Sequence, residues 1–300
     1  MGIIKIISKR KPSSGLDRLP SFVYFPGSAH KIRKNRKSGA SFMIVIRLTA
    51  KVIRRCCVMV GLIVLLILCF TLVPVLRQSV AMVVAGGEKP IYAVERSDKV
   101  IALSFDASWG ATHTEDILAI LDEYDVKTTF FLVNLWIEDY PELVAEIDRR
   151  GHEIGLHSAT HPHFTALSPA EITGEIQANE EAVTEITGKT PTVFRFPYGD
   201  YNNTAVNTVH SLGLEAVQWS VDSLDWKELS ASEISLRVLD GVNPGAIILM
   251  HNNGTHTAEA LRTVIPSLLG EGYRIVPVSE LLLTGDYYVD HNGIMHKGES

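Results

Sequence analysis

Between Val100 and Leu283 short β-rich runs alternate with amphipathic stretches, and this alternation limits the folds open to the chain more than any other feature. Val100–Phe105 (VIALSF) precedes a helical pattern over Thr114–Tyr124. Thr128–Val133 precedes Pro141–Arg150, a helix with proline in its first turn and Gly151 just past its end. Glu153–His157 precedes Ser168–Thr187, where Ser168 and Glu171 have capping-box spacing. Val193–Pro197, Ala216–Val221 and Ala246–His251 precede Asn203–Leu212, Ser232–Leu239 and Thr257–Leu269. Arg274–Val278 leads into Ser279–Leu283. About seven β–α units of this kind predict an α/β fold with a parallel sheet and helical crossovers. An open sheet and a closed barrel both satisfy the pattern, and the polar residues decide between them. Asp106, His157, Arg195, Asp222 and His251 each fall at, or one step past, the C-terminal end of a different strand. A (β/α) barrel gathers its active site on that face, so a barrel slightly short of eight units is expected.

Ahead of this domain the charge distribution is lopsided. Residues 1–55 hold 14 of the 28 Lys and Arg with Asp17 as the only acid, whereas residues 78–300 hold 33 acids against 13 Lys and Arg. So acidic a domain is a poor nucleic-acid binder. Between Arg55 and Arg77 lie 21 uncharged residues, CCVMVGLIVLLILCFTLVPVL. That run is long enough for a transmembrane helix, and the basic flank before it keeps the N-terminus in the cytoplasm. The expected layout is a basic tail over 1–55, a span over 56–76, a linker over 77–93, a catalytic domain over 94–285 and a C-terminal tail over 286–300. The protein is therefore expected in the cell membrane, single-pass, with its catalytic domain extracytoplasmic. Val83-Val84-Ala85 offers a cleavage site, but the apolar run exceeds a secretory signal core and reads as an anchor. Met1 and Met43 both remain open as the start. Cys56, Cys57 and Cys69 all lie within the apolar run, which excludes a thiol nucleophile from the exported domain.

Five motifs carry chemistry. His157-Ser-Ala-Thr-His161 places two imidazoles four residues apart after a strand, where one helical turn would let them share a metal. SFDASWG ends the first strand at Asp106, RFPYG ends the fourth at Arg195, DSLDW follows the fifth, and LMH ends the sixth at His251. In this order the set resembles the polysaccharide deacetylase family, the chitooligosaccharide-deacetylase-like carbohydrate esterases, over roughly Val94 to Leu283. The first and fourth motifs look closest to the branch of spore-forming bacteria that acts in sporulation. The resemblance implies a distorted, incomplete (β/α) barrel and hydrolysis of an N-acetyl group on a cell-wall polysaccharide such as peptidoglycan or a chitin-like chain. It implies a divalent metal, zinc first and cobalt or manganese next, on His157 and His161. Asp106 would be the general base held by Arg195, and His251 the general acid partnered by Asp225, with Asp222 second in line for that partner role. The Tyr198 backbone N–H would face the oxyanion, while Trp226 and Leu249 would form the slot for the acetyl methyl.

One position departs from the family. Where a second aspartate usually supplies the third metal ligand, this chain has Ala107. Asp106, His113 and His163 are the candidates to replace it. Two readings of different class follow, an active N-deacetylase and a glycan-binding pseudo-enzyme, and an O-acetyl esterase would use the same machinery. N-acetylglucosamine and N-acetylmuramic acid stay open as substrates. Trp109 and Trp136, near strand ends, read equally as sugar platforms or as packing. The topology has a direct check: a reporter fused after Ser300 is expected to be active only outside the cytoplasm, and cytoplasmic activity would overturn the orientation.

Overall fold

A computed structural model describes Met59 and residues 88–298. The basic tail, all of the apolar run except Met59, and residues 77–87 lie outside the described residues, and among those described no helix is long and apolar enough to cross a membrane.

The chain opens with β1 (Ala93–Val94), then β2 (Val100–Ala107), α1 (Thr114–Glu123) and β3 (Thr129–Leu132). Next come α2 (Asn134–Asp139), α3 (Pro141–Arg149), β4 (Glu153–Leu156), α4 (Pro169–Thr187), β5 (Val193–Arg195) and α5 (Asn203–Ser211). β6 (Glu215–Val217), β7 (Val221–Asp222), α6 (Ala231–Gly241), β8 (Ile247–His251) and α7 (Thr257–Gly270) follow. β9 (Arg274–Val276), α8 (Val278–Leu281), β10 (Tyr287–Val289) and β11 (Ile294–Lys297) end the described chain. Ser168 and Glu171 form the expected capping box, and Ser230 with Glu233 form a second one ahead of α6.

The main sheet is parallel, in the order β6-β5-β4-β3-β2-β8-β7, with β9 on the N-terminal half of β2. One stretch departs from the sequence expectation. Ala216–Val221, expected as a single strand, is split into β6 and β7, which occupy opposite ends of this order. That split fixes the shape. Seven strands laid flat would extend over roughly 29 Å at about 4.8 Å per step. Val217 and Val221 are four residues apart, a reach of about 14 Å at most. The sheet must curl until its edges approach, which gives the distorted barrel. Residues 91–94 stitch the seam: Ile91 N donates to Ala216 O (2.8 Å), Gln218 N to Ile91 O (2.7 Å) and Val94 N to Gly245 O (2.9 Å).

All eight residues of β2 are buried, as expected of a central strand covered on both faces. Its side chains alternate between two cores. Ile101, Leu103, Phe105 and Ala107 pack with helix residues such as Ile117 and Leu121. Val100 and Ala102 pack with Phe131, Val193, Val217 and Ile247 inside the curl. Ser104 and Asp106 continue the inward series by the two-residue period of a strand. The C-terminal segment holds a hairpin, β10–β11, whose second strand pairs in parallel with β1.

Candidate active site

Asp106, on β2, lies in register with His251 on β8. Its Oδ1 accepts from Arg195 Nη1 at 2.8 Å, and Arg195 is wholly buried at the end of β5. The guanidinium also lies 4.0 Å from the Phe131 ring centre and donates to Gln218 O. Burial alone would raise the Asp106 pKa, but the charge and hydrogen bond of Arg195, with the charge of His251, outweigh it and hold the carboxyl below its usual range.

His157 follows β4 directly and is buried. Its backbone N–H donates to Asn179 Oδ1 (2.8 Å), and its Nδ1 donates to the Arg195 carbonyl (2.8 Å). A carbonyl can only accept, so Nδ1 carries the proton and Nε2 presents a lone pair, 3.4 Å from Asp106 Oδ2. His161 stands beside it, ring centres 4.9 Å apart. The expected helical turn is not what joins them. Residues 157–161 form a non-helical loop in which Ser158 (φ 75°) and His161 (φ 57°) are left-handed, and Ser158 Oγ accepts from His161 N at 2.9 Å. Burial pushes both imidazoles toward the neutral form, His161 down to about 3.

These two rings suit a borderline cation. Both are neutral, His157 Nε2 is free, and His161 Nδ1 is buried with no hydrogen-bond partner. A third donor is missing: among the described residues no group of three His, Cys, Asp or Glu is arranged to hold a metal. Ala107 belongs to the helix-facing core. His163 is exposed, with Nδ1 3.5 Å from Asp200 and its ring stacked on Tyr198, and His113 stands at the N-terminal boundary of α1 without a capping hydrogen bond from its side chain. The fit to a metal is thus two ligands out of three.

Opposite this group stands a second pair. His251 Nδ1 meets Asp225 Oδ1 at 2.7 Å, and Asp225 Oδ2 accepts from His251 N (2.8 Å) and Thr257 Oγ1 (2.6 Å). Burial opposes the charged imidazole, but the Asp225 hydrogen bond and charge outweigh it and raise the His251 pKa. Asp222 makes no such contact; its Oδ1 accepts from Leu224 N. Asp225 and Trp226 sit on a short 3₁₀ turn between left-handed Leu224 and Glu228. Asp106, His157, His161 and His251 open into one cavity of about 500 Å³, whose wall includes Tyr198, Trp226 and Leu249. Tyr198 has a left-handed backbone (φ 59°) and an exposed ring.

Sequence reasoning missed two supports. Asn179 occupies the buried stripe Ile172, Ile176, Asn179, Val183 of α4, where an amide among apolar residues was the available signal. It donates to Leu132 O while accepting from His157 N. Thr257, at the start of α7, had no comparable signal. Trp136 is buried and donates to Gly110 O, so it packs, whereas Trp109 is 61% exposed at the cavity.

The sequence profile of the polysaccharide deacetylase family matches residues 93–217, which carry Asp106, both metal-type histidines and Arg195. A peptidoglycan-N-acetylglucosamine deacetylase of Bacillus cereus is 32% identical over 196 residues, 64% of this chain and 92% of that one. The chain belongs to the polysaccharide deacetylase family. A peptidoglycan-N-acetylglucosamine deacetylase of Listeria monocytogenes is 37% identical over 199 residues, 65% of this chain, and the chain spans only 42% of that relative's length. A family 4 carbohydrate esterase from Bacillus anthracis, described as a pseudoenzyme, superposes with a TM-score of 0.62 at 33% identity, covering 64% of this chain and 68% of its own. A mutant of that protein is described as having restored activity.

Proposed function

We propose that the chain is a membrane-anchored, extracytoplasmic N-deacetylase that hydrolyses the acetamide of amino sugars in a cell-wall polysaccharide. The observation that carries this reading is the pair of oppositely tuned dyads, Asp106–Arg195 and His251–Asp225, opening into one cavity. Asp106, kept ionised by Arg195, takes a proton from water as the water oxygen bonds to the acetamide carbon. The C=O electron pair moves to oxygen, and the resulting oxyanion faces the Tyr198 N–H. His251, kept protonated by Asp225, then gives its proton to the nitrogen, the oxyanion re-forms C=O as the C–N bond breaks, and acetic acid leaves with a free amine on the sugar. The acid ionises to acetate in water, and the Asp106 proton passes to His251 through solvent, which returns the pair to its starting state. Trp226 and Leu249 enclose the acetyl methyl. His157 and His161 would hold a divalent cation, zinc by their donor type, which when bound polarises the carbonyl and acidifies the water. The anchor is the run 56–76.

Amide hydrolysis by the native chain should vanish in His251→Ala and in Asp106→Asn, each by roughly 10²-fold or more, with glycan affinity retained. Acetate release from peptidoglycan fragments is the measurement. Near-native turnover by either variant would remove that residue from the mechanism.

Ala107 supports a second reading, a glycan-binding pseudo-enzyme, and the description of the Bacillus anthracis relative is in keeping with it. A carboxylate at 107 must either turn to the imidazoles or stay in the apolar core. Without metal Ala107→Asp is expected to lower Tm, because a buried unpaired carboxylate is costly. With zinc it should regain more stability than the native chain does and bind at least about 10-fold tighter. Turnover rising with that affinity supports the enzyme, whereas metal binding without turnover supports the relic. Equal zinc affinity in both chains would mean that position 107 is not where the site is weak.

A further inference from the structure

The cavity mouth carries an aromatic residue that the catalytic scheme does not use. Among the described residues four large aromatic side chains are mostly exposed, and three of them, Trp109, Tyr198 and Trp226, line this cavity. Exposing an indole in water is unfavourable, so three together mark a surface built for a ligand with apolar faces. Trp109 stands out because its loop is fixed on every side. The Gly110 carbonyl accepts from Trp136 Nε1 (2.8 Å) and Asn252 Nδ2 (3.0 Å), and Thr112 N donates to Asn253 Oδ1 (2.9 Å). Gly110 itself is left-handed (φ 66°), and a Cβ there would lie 2.5 Å from Asn253 Nδ2. The indole meets the His161 ring edge-on at 4.9 Å and remains 61% exposed. Rigid backbone beneath a solvent-facing ring is the arrangement of a stacking platform, since little freedom is lost on binding.

The charges around the mouth define what stacks there. Arg195 is paired with Asp106 and His251 with Asp225, and among the described residues the Asp222 and Glu228 carboxylates on the wall form no ion pair, while Lys227, whose Nζ lies 4.9 Å from the Trp226 ring centre, is not part of the lining. Among the described residues no Lys or Arg lines the cavity. A sugar bearing its own carboxylate would meet like charge in a partly desolvated site, whereas a neutral hexosamine would not.

We infer that Trp109 is the stacking platform for an uncharged N-acetylhexosamine ring, and that the mouth discriminates against carboxylate-bearing sugars of the muramic type. This rests on the glycan-cleft reading above but not on turnover. The test is calorimetric binding by the full-length chain of two tetrasaccharides: fully N-acetylated chitotetraose, four N-acetylglucosamine rings without charge, and an alternating chain in which every second ring carries a lactyl carboxylate. Chitotetraose should bind about tenfold tighter, the equivalent of roughly 1.4 kcal/mol. Trp109→Ala should lose about tenfold in chitotetraose affinity, and Trp109→Phe should recover most of it, because stacking needs an aromatic face rather than an indole N–H. Asp222→Asn combined with Glu228→Gln should narrow the gap between the two sugars. Unchanged affinity in Trp109→Ala, a phenylalanine variant no better than the alanine one, or equal binding of both sugars would overturn the inference. If these affinities behave as expected while the native chain releases no acetate, the deacetylase reading fails and the platform stands.

Discussion

A buried guanidinium must find its charge partner inside the protein, and at Arg195 that requirement ties fold to site. β5 and β2 are three steps apart in the sheet, about 14 Å if the sheet were flat. An Arg and an Asp side chain cannot span that distance, yet the Arg195–Asp106 contact is 2.8 Å. Only the curl, imposed by the short link from β6 to β7, brings the two strand ends face to face. Removing either partner would strand the other charge in a dry interior, at several kcal/mol by the usual behaviour of buried pairs. Arg195 acts on the neighbouring histidine as well, because its backbone carbonyl fixes the His157 tautomer. One residue thus sets the ionisation of the carboxylate and the free lone pair of the imidazole beside it.

The three histidines of the cavity show how environment assigns roles to one side-chain type. His157 and His161 are desolvated, and although Asp106 lies 3.4 Å from His157 its charge does not outweigh burial, so both are driven toward neutral, the state in which imidazole binds metals. His251 is also desolvated, but Asp225 is hydrogen-bonded to its Nδ1, so it is driven the other way. Pairs of groups whose surroundings separate their pKa values are the general signature of acid and base roles.

Much of this was legible in the sequence because it depends on local pattern. The strand–helix alternation located nearly every element, and a polar residue closing each apolar run located Asp106, His157, Arg195 and His251. What escaped was set by contacts between distant residues. Nothing between Ala216 and Val221 announces that the two halves belong to opposite sheet edges, since that follows from closure of the barrel. The HSATH spacing suggested a helical turn, but two left-handed residues achieve the same juxtaposition. The hairpin over 287–297 acquires its meaning only from β1, some 200 residues earlier. Trp109 looks the same in sequence whether it packs or projects, and the neighbours of Gly110 decide it.

Ala107 is the point at which the family pattern and this chain part. Around it Asp106 and His251 keep their partners, Arg195 and Asp225, and His157 and His161 are both driven toward the neutral form. The proposed chemistry rests on the two dyads, and the pH profile of kcat/KM for acetate release from a neutral chitooligosaccharide tests it most directly. It predicts a bell. The acidic limb should fall below the ordinary carboxylate range, where Asp106 gains its proton, and the basic limb above the usual histidine value of about 6.5, where His251 loses its own. In Asp225→Asn the basic limb should move to lower pH while the acidic limb stays. A basic limb unmoved by that substitution, or no acetate at any pH with zinc supplied, would contradict the account.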